Sequence, residues 1–509
     1  MKIQLQWPVR LIENVMSSAP RRRRTYSGAD MGRLVQDFVA MGTSGDAEIR
    51  NNLRILRNRT RQLERDNDYV KNYLREIENN VIGLGISFEG QVKMMRGGNL
   101  NEAINQQIQD AWCEWADKDS CHVAGKLSFT DIENLVARSV FRDGEILIRM
   151  IKGQKFGESK VPFALEIIEA DRLDDAFQGR ADNGNEIRMG VEIDEWGRPT
   201  AYYFFTYHPG DYPFVGSKIA VGMRRIRVPA DEIIHIFKTE RAGQTRGVPE
   251  LVTAIMRLRH MQGYEQAEVI AARAAAAIMG FIESPEGEAP ADEVEADQRV
   301  TDFEPGVFKY LAPGESVNIP NINRPGGNFG PFMKMMLRGS AAGMGISYET
   351  LSKDYSESNY SSARLSLISD RDNWRRVQKW LIAQFHQEVF EAWLEMAVLA
   401  GVVNLADYEV NPKKYEGVRW LPRGWAWVDP QKEITAARDA ILGGITSATD
   451  IVAQEGKDIR DVYAAIKNER DLADQYKLVF DTDAKNGITP STTAPKPGAN
   501  EDPKGNEKK

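Results

Sequence analysis

Seven side chains in this sequence are of the types that ligate metals or act as nucleophiles and bases: His122, His208, His235, His260, His386, Cys113 and Cys121. Such chemistry needs set spacings, HExxH or CxxC for a metal and Gly-x-Ser-x-Gly for a serine nucleophile. None of these occurs in the sequence. Gly216-Ser217-Lys218 is not a phosphate-binding loop, because Ser precedes Lys and the position of the leading glycine is Asp211. Gly83-Leu84-Gly85 lacks the third glycine of a dinucleotide loop. His235 lies in the apolar run Ile233–Phe237 and reads as a hydrogen-bonded core residue. The carboxylates form no metal set, so neither a metal nor another cofactor is expected. An enzyme reading has little support.

The whole chain narrows the classes further. It has 509 residues, 42% hydrophobic and 28% charged, with a formal net charge of −8. That is the composition of a folded chain, not of a disordered or fibrous one. Two cysteines rule out a disulfide scaffold and fit a reducing compartment. The longest charge-free apolar run, Ala274–Ile282, is far short of the ~20 residues that span a membrane. The N-terminus has no long apolar core before a cleavage site, so secretion is not expected. A mildly acidic total argues against simple coating of nucleic acid, though not against letting it slide past.

Charge is unevenly placed. Residues 1–61 hold twelve Lys and Arg against five Asp and Glu, including Arg21–Arg24, and form a basic arm. Residues 283–304 hold nine acidic residues against Arg299 alone. Self-repulsion with Pro285 and Pro290 disfavours a packed core there and predicts a protruding acidic surface. Residues 486–509, rich in Pro, Gly, Thr and Lys, predict a disordered tail.

Periodicity places the elements. Leu53, Leu56, Leu63, Val70, Tyr73, Leu74 and Ile77 predict helix over 47–80. Residues 100–117 predict a second helix, and Ser128 caps a third. From 145 to 238 the period changes to two, as in Ile146, Ile148 and Met150, and predicts a β-rich module. A helix of about thirty residues is expected over 250–280, opened by Pro249 at its first turn. Its Ala-rich second half suits packing against copies of itself. Further helices are expected over 328–340, with a Met-rich face, over 363–400, 430–440 and 458–472. A polar stretch, Ser352–Ser362, separates two of them.

Several stretches resemble the lambda-type portal (head–tail connector) proteins of tailed bacteriophages. They are Ser139–Ile148 (SVFRDGEILI), Leu165–Asp174 (LEIIEADRLD), Gly190–Tyr203 (GVEIDEWGRPTAYY), His208–Asp211, Arg227–Phe237 (RVPADEIIHIF), Arg241–Pro249 (RAGQTRGVP), Gly345–Arg364 (GISYETLSKDYSESNYSSAR) and Val428–Glu433 (VDPQKE). Their number, order and spacing cover about 50 to 440.

The resemblance implies an α+β, mainly helical portal fold, assembled as a ring, usually of twelve copies, at one capsid vertex. Double-stranded DNA would pass through the ring during packaging and ejection. The terminase large subunit would dock outside, and head-completion or tail connector proteins would replace it. Major capsid or scaffold protein would hold the ring, which would assemble in the host cytoplasm and remain in the virion. On that plan 1–49 is a basic arm, 50–245 the wing and 246–280 the first stem helix. Residues 281–326 are the clip, with Glu286, Glu288, Asp292, Glu293, Glu295 and Asp297 docking partners. The second stem helix is 327–351, and 352–362 is a tunnel loop in which Lys353, Asp354, Tyr355, Ser356, Glu357, Ser358, Asn359 and Tyr360 face DNA. A long helix and wing return (363–425), a helical crown (426–484) and a disordered tail (485–509) follow. Ala271, Ala275, Met333 and Met336 are the expected ring contacts. A nucleic-acid-processing enzyme with an unrecognised active site, and a cytoplasmic scaffolding protein, are the rival readings.

Overall fold

The computed structural model describes residues 33, 42–94, 100–211, 224–277, 281–283, 316–318, 327–425, 429–476 and 478. The expected first helix is three helices, α1 (Gly45–Arg50), α2 (Leu53–Asp66) and α3 (Asp68–Ile77). Asn67 breaks the run: its backbone is extended, and its side chain caps α3 by accepting from the amides of Tyr69 and Val70. Strand β1 (Ser87–Gly90) and helix α4 (Glu102–Trp115) follow. Helix α5 (Phe129–Asp143) opens on a reciprocal capping box between Ser128 and Asp131.

The β-rich module is two antiparallel sheets. Strand β2 (Glu145–Lys152) is central to the first, between β3 (Phe163–Ile168) and β9 (Ile233–Phe237). The second runs β4 (Gly179–Arg180), β5 (Glu186–Arg188), β6 (Val191–Ile193), β7 (Pro199–Phe205) and β8 (Arg225–Pro229) in order. Alternation along β2 serves two cores. Ile146, Ile148 and Met150 face the main core, while Leu147 joins Val191, Tyr202, Phe204 and Val228 in a smaller one.

The chain leaves the module through an ionic joint. Glu145, fully buried, accepts from Arg57 Nη2 at 2.7 Å, Arg246 Nε at 2.9 Å, the Gly247 amide at 2.9 Å and His235 Nε2 at 3.0 Å. Arg246 also donates to the Met189 carbonyl at 2.7 Å. Gly144 (φ +91°) lets residues 248 and 249 press against it: a Cβ there would sit 2.5 Å from the Val248 carbonyl carbon. Docking of this segment delays the long helix. Glu250–Thr253 is a 3₁₀ turn with Leu251 buried, and α6 spans Ile255–Ala277. Its 23 residues make a rod of roughly 35 Å, shorter than expected, and Pro249 precedes the 3₁₀ turn instead of opening the helix.

Strands β10 (Phe281–Glu283) and β11 (Ser316–Asn318) pair antiparallel. Helix α7 (Phe329–Met344) returns antiparallel to α6, with the Tyr264 ring 4.9 Å from that of Phe332 and Thr253 Oγ1 donating to the Gly343 carbonyl. A short α8 (Tyr348–Ser352) leads to α9 (Tyr360–Leu381), one turn of wider helix (Ile382–His386) and α10 (Gln387–Leu399). Strand β12 (Val418–Leu421) pairs with β1. Helices α11 (Pro430–Leu442), α12 (Ala448–Gln454) and α13 (Ile459–Tyr476) close the described chain. The sequence reading missed α12, although Ser447-x-x-Asp450 is a capping pattern.

Burial disfavours the charged imidazole and holds His235 below its usual value. Burial alone would raise Glu145, but Arg246, the His235 hydrogen bond and Arg57 outweigh it and hold the carboxyl well below the usual range. Both folded values lie under their unfolded ones, so both groups contribute stability at neutral pH that is lost on acidification. A first decline is expected below about pH 6.5, where unfolded histidine protonates, and a steeper one below about pH 4.3, where unfolded glutamate does. Thermal unfolding of His235→Gln across this range should show a smaller first decline, with the remainder coming from His122, which burial also holds low.

Candidate functional site

The expected tunnel loop is shorter and better anchored than its polar composition implies. Ser352 ends α8 and Tyr360 opens α9, so the connection is Lys353–Asn359. Both flanks are set by caps. Ser347 accepts from the Thr350 amide, and buried Asp370 receives the Ser347 amide at 2.9 Å, its hydroxyl at 2.7 Å and the Thr350 hydroxyl at 2.6 Å. Asn359 and Ser362 form a reciprocal box. Asn72 of α3 donates to the carbonyls of Thr350 and Leu351, both at 3.0 Å.

The loop's charges are compensated within the chain. Lys353, in the left-handed region at φ +56°, reaches Glu76 at 2.8 Å. Glu357 receives Lys334 at 2.7 Å and Arg338 at 2.9 Å, and Lys334 leads the causes that hold it below its usual pKa. Asp354 accepts from the Ser356 amide and the Tyr348 hydroxyl and is likewise held low. Ser358 donates to Glu349. Tyr355 and Tyr360, 55% and 62% exposed, are the large side chains turned outward. Lys353, expected to face DNA, is ion-paired across the fold with Glu76.

The expected ring contacts divide. Met333 packs into the chain's own core with Leu337, Ala341 and Met344, and Met336 lies half-buried against it. Met333 and Met336 thus turn inward, because residues 333, 337, 341 and 344 share the flank that meets the core. Phe332 and Met335 on α7, and Met256, Val269 and Ile270 on α6, are the exposed apolar residues. Ala271 is half-buried on α6; the side chain of Ala275 lies outside the described residues, as do Glu286, Glu288, Asp292, Glu293, Glu295 and Asp297. So do most of the basic arm and the tail.

Helices α11, α12 and α13 contain no buried residue among those described. Ile434, Leu442, Ile445, Tyr463 and Leu472 are each more than half exposed. One set of possible metal ligands converges, Glu169, Asp171 and His208. Asp171 there is already met by Arg61 at 2.6 Å and Arg57 at 3.5 Å, so its charge serves the ionic network of α2. The sequence reading also passed over Arg371-Asp372-Asn373-Trp374-Arg375-Arg376, whose cations recur at helical spacing beside an aromatic.

Residues 31–378 match the family described as phage portal protein, lambda family. A probable portal protein of Halomonas phage phiHAP-1 is 32% identical over 462 residues, 88% of this chain and 87% of that protein. Portal protein B of Escherichia phage lambda is 23% identical over 476 residues, 86% of this chain and 87% of that protein. Among solved structures, a chain in the neck of an empty gene transfer agent particle aligns at a TM-score of 0.42 with 13% identity, covering 84% of this chain and 98% of that one. With a family match over most of its length and a relative above 30% identity along nearly all of it, the chain belongs to the lambda family of phage portal proteins.

Proposed function

We propose that this chain closes with further copies, twelve in all, into a ring at the unique vertex of a phage head, and that double-stranded DNA passes through the ring during packaging and ejection. Membership of a portal family supports this. The observation that carries it is an apolar surface that one copy leaves uncovered. Three consecutive helices, α11–α13, have no buried residue of their own among those described; they expose Ile434, Leu442, Tyr463 and Leu472, and the turn between the first two exposes Ile445. Large exposed apolar surface marks an interaction site. In a ring it meets a different face of the next copy, and the repeated contact closes.

The loop fits a passage that does not grip. Its carboxylates and its lysine are paired with Glu76, Lys334 and Arg338, and beside them the neutral Tyr355 and Tyr360 are exposed. Each ionic contact to phosphate adds salt-dependent affinity, and a lining with few of them lets a duplex slide. The acidic segment within 281–326 is the clip that docks the terminase large subunit and later the head-completion or tail connector proteins. Major capsid or scaffold protein surrounds the ring, which assembles in the host cytoplasm and stays in the virion.

The uncovered helices give the test. Leu442→Asp with Ile445→Asp should leave the fold intact, because neither side chain is buried within the copy. Sedimentation of the full chain should then shift from a many-subunit mass to a single-chain mass. An unchanged assembly would contradict the assignment of α11–α13 to the ring contact.

A further inference from the structure

Beyond the loop, α9 carries Arg364, Arg371, Arg375 and Lys379 on one flank, seven and then four residues apart. Four residues of helix rise about 6 Å. The adjoining flank, with Asp370, Trp374, Val377, Gln378 and Leu381, is buried. Trp425 stacks on Trp374 with centroids 5.9 Å apart. The guanidinium carbons of Arg371 and Arg375 lie 5.9 Å and 5.4 Å from the Trp425 centroid. Arg423, two residues earlier, completes the group and donates to the Asn79 carbonyl.

Gathering Arg371 and Arg375 over one indole, with Arg423 close enough to oppose the charge of Arg371, works against their charges. Arg371 is held below the usual arginine range, first by burial; Glu433 favours its charged form, and the like charges of Arg375 and Arg423 oppose it. The acid in contact with Arg375 is Asp372, 3.1 Å away, and both members of that pair are more than half exposed. An exposed pair of this kind binds weakly and yields to a stronger anion. The loop's charges are ion-paired across the fold, whereas here Arg371, Arg375 and Arg423 are faced by Glu433, Glu455 and the exposed Asp372. An aromatic-backed guanidinium presents a planar fork that matches a phosphate.

We propose that Arg371, Arg375 and Arg423, framed by Trp425 and continued by Lys379 one turn along α9, form a binding site for the phosphate backbone of double-stranded DNA. The site rests on the ring-and-channel reading and adds to it a place, away from the loop, where the sliding duplex is touched through phosphate. Cations in a row along a straight helix suit the regular charges of a duplex. Contact through phosphate is independent of sequence, as a channel for a whole genome requires. An acidic protein is the competing class of partner.

The test uses the assembled full-length protein, wild type and Arg375→Gln/Lys379→Gln, with a fluorescent 30-base-pair duplex titrated by anisotropy from about 50 to 200 mM salt. Both replaced side chains are exposed, and electron microscopy checks that the assembly is unchanged. Binding by the variant is expected to weaken at least about tenfold at low salt, with a shallower dependence of log affinity on log salt, by about one or more per contacting copy. Arg375→Lys/Lys379→Arg should retain most of the affinity. If the Gln variant fails to assemble, Lys379→Gln alone carries the same comparison. An assembled variant that binds the duplex as wild type does would overturn this site and leave the ring reading standing. So would unchanged duplex binding with loss of binding to a polyglutamate peptide, which would assign the cluster to an acidic protein. A wild-type chain that never assembles would overturn the ring reading, and this site with it.

Discussion

Glu145→Ala is expected to be among the most damaging single substitutions in the chain. Glu145 is fully enclosed, and so are the two guanidiniums that meet it, Arg57 and Arg246, with side-chain exposures of 2% and 0%. Removing the carboxylate strands both cations and leaves the Gly247 amide and His235 Nε2 without their acceptor. Breaking a buried ion pair from one side costs about 3–5 kcal/mol. The damage falls where the β-rich module hands the chain to the long helix, because Glu145 opens β2 and Arg246 precedes the 3₁₀ turn before α6. Denaturant unfolding should show the loss. Removing both charges in Glu145→Met/Arg246→Met is expected to cost less than the sum of the two single changes, because neither charge is then stranded by the other's loss. Losses that simply add, or a Glu145→Ala protein within about 1 kcal/mol of wild type, would mean that the joint does not couple these elements.

Trp112→Ala is the second substitution expected to cost several kcal/mol. Trp112, 6% exposed, touches five aromatic rings: Phe88, Trp115, Phe129, Phe390 and Trp393, with centroids 4.9–5.8 Å away. These rings come from β1, α4, α5 and α10, so one indole bridges segments almost 300 residues apart in sequence. Truncating a buried Trp to Ala costs about 3–5 kcal/mol, since the surroundings collapse only in part. Trp112→Phe should recover much of this by keeping a ring in edge contact with Phe129 and Trp393. A drop in stability below about 1 kcal/mol for Trp112→Ala, read from the denaturant midpoint and slope, would show that the site closes over the void.

Local structure was legible in the sequence because its causes are local. The Ser128 cap, the alternation of Ile146, Ile148 and Met150, and the long apolar spacing after Tyr360 each specify their own element. The long-range decisions were not. Nothing near Lys353 announces that it will meet Glu76, or that Glu357 will meet Lys334 and Arg338, so a polar run read as a free loop. The Met-rich face of α7 showed the same ambiguity: spacing marks an apolar flank, but whether Met333 faces its own core or a neighbour is decided by α6 and α8, which pack on α7. The start of α6 was misplaced because Pro249 fits a helix opening locally, while Glu145 pins residues 246 and 247 from a strand a hundred residues earlier. The family resemblance supplied what periodicity could not, membership of the portal family.

The most direct test of the ring is electron microscopy of the purified full-length chain. End-on views should show a closed annulus of identical subunits around a bore wide enough for a DNA duplex. Particles that stay compact single copies under every assembly condition, or rings with a bore too narrow for a duplex, would contradict it.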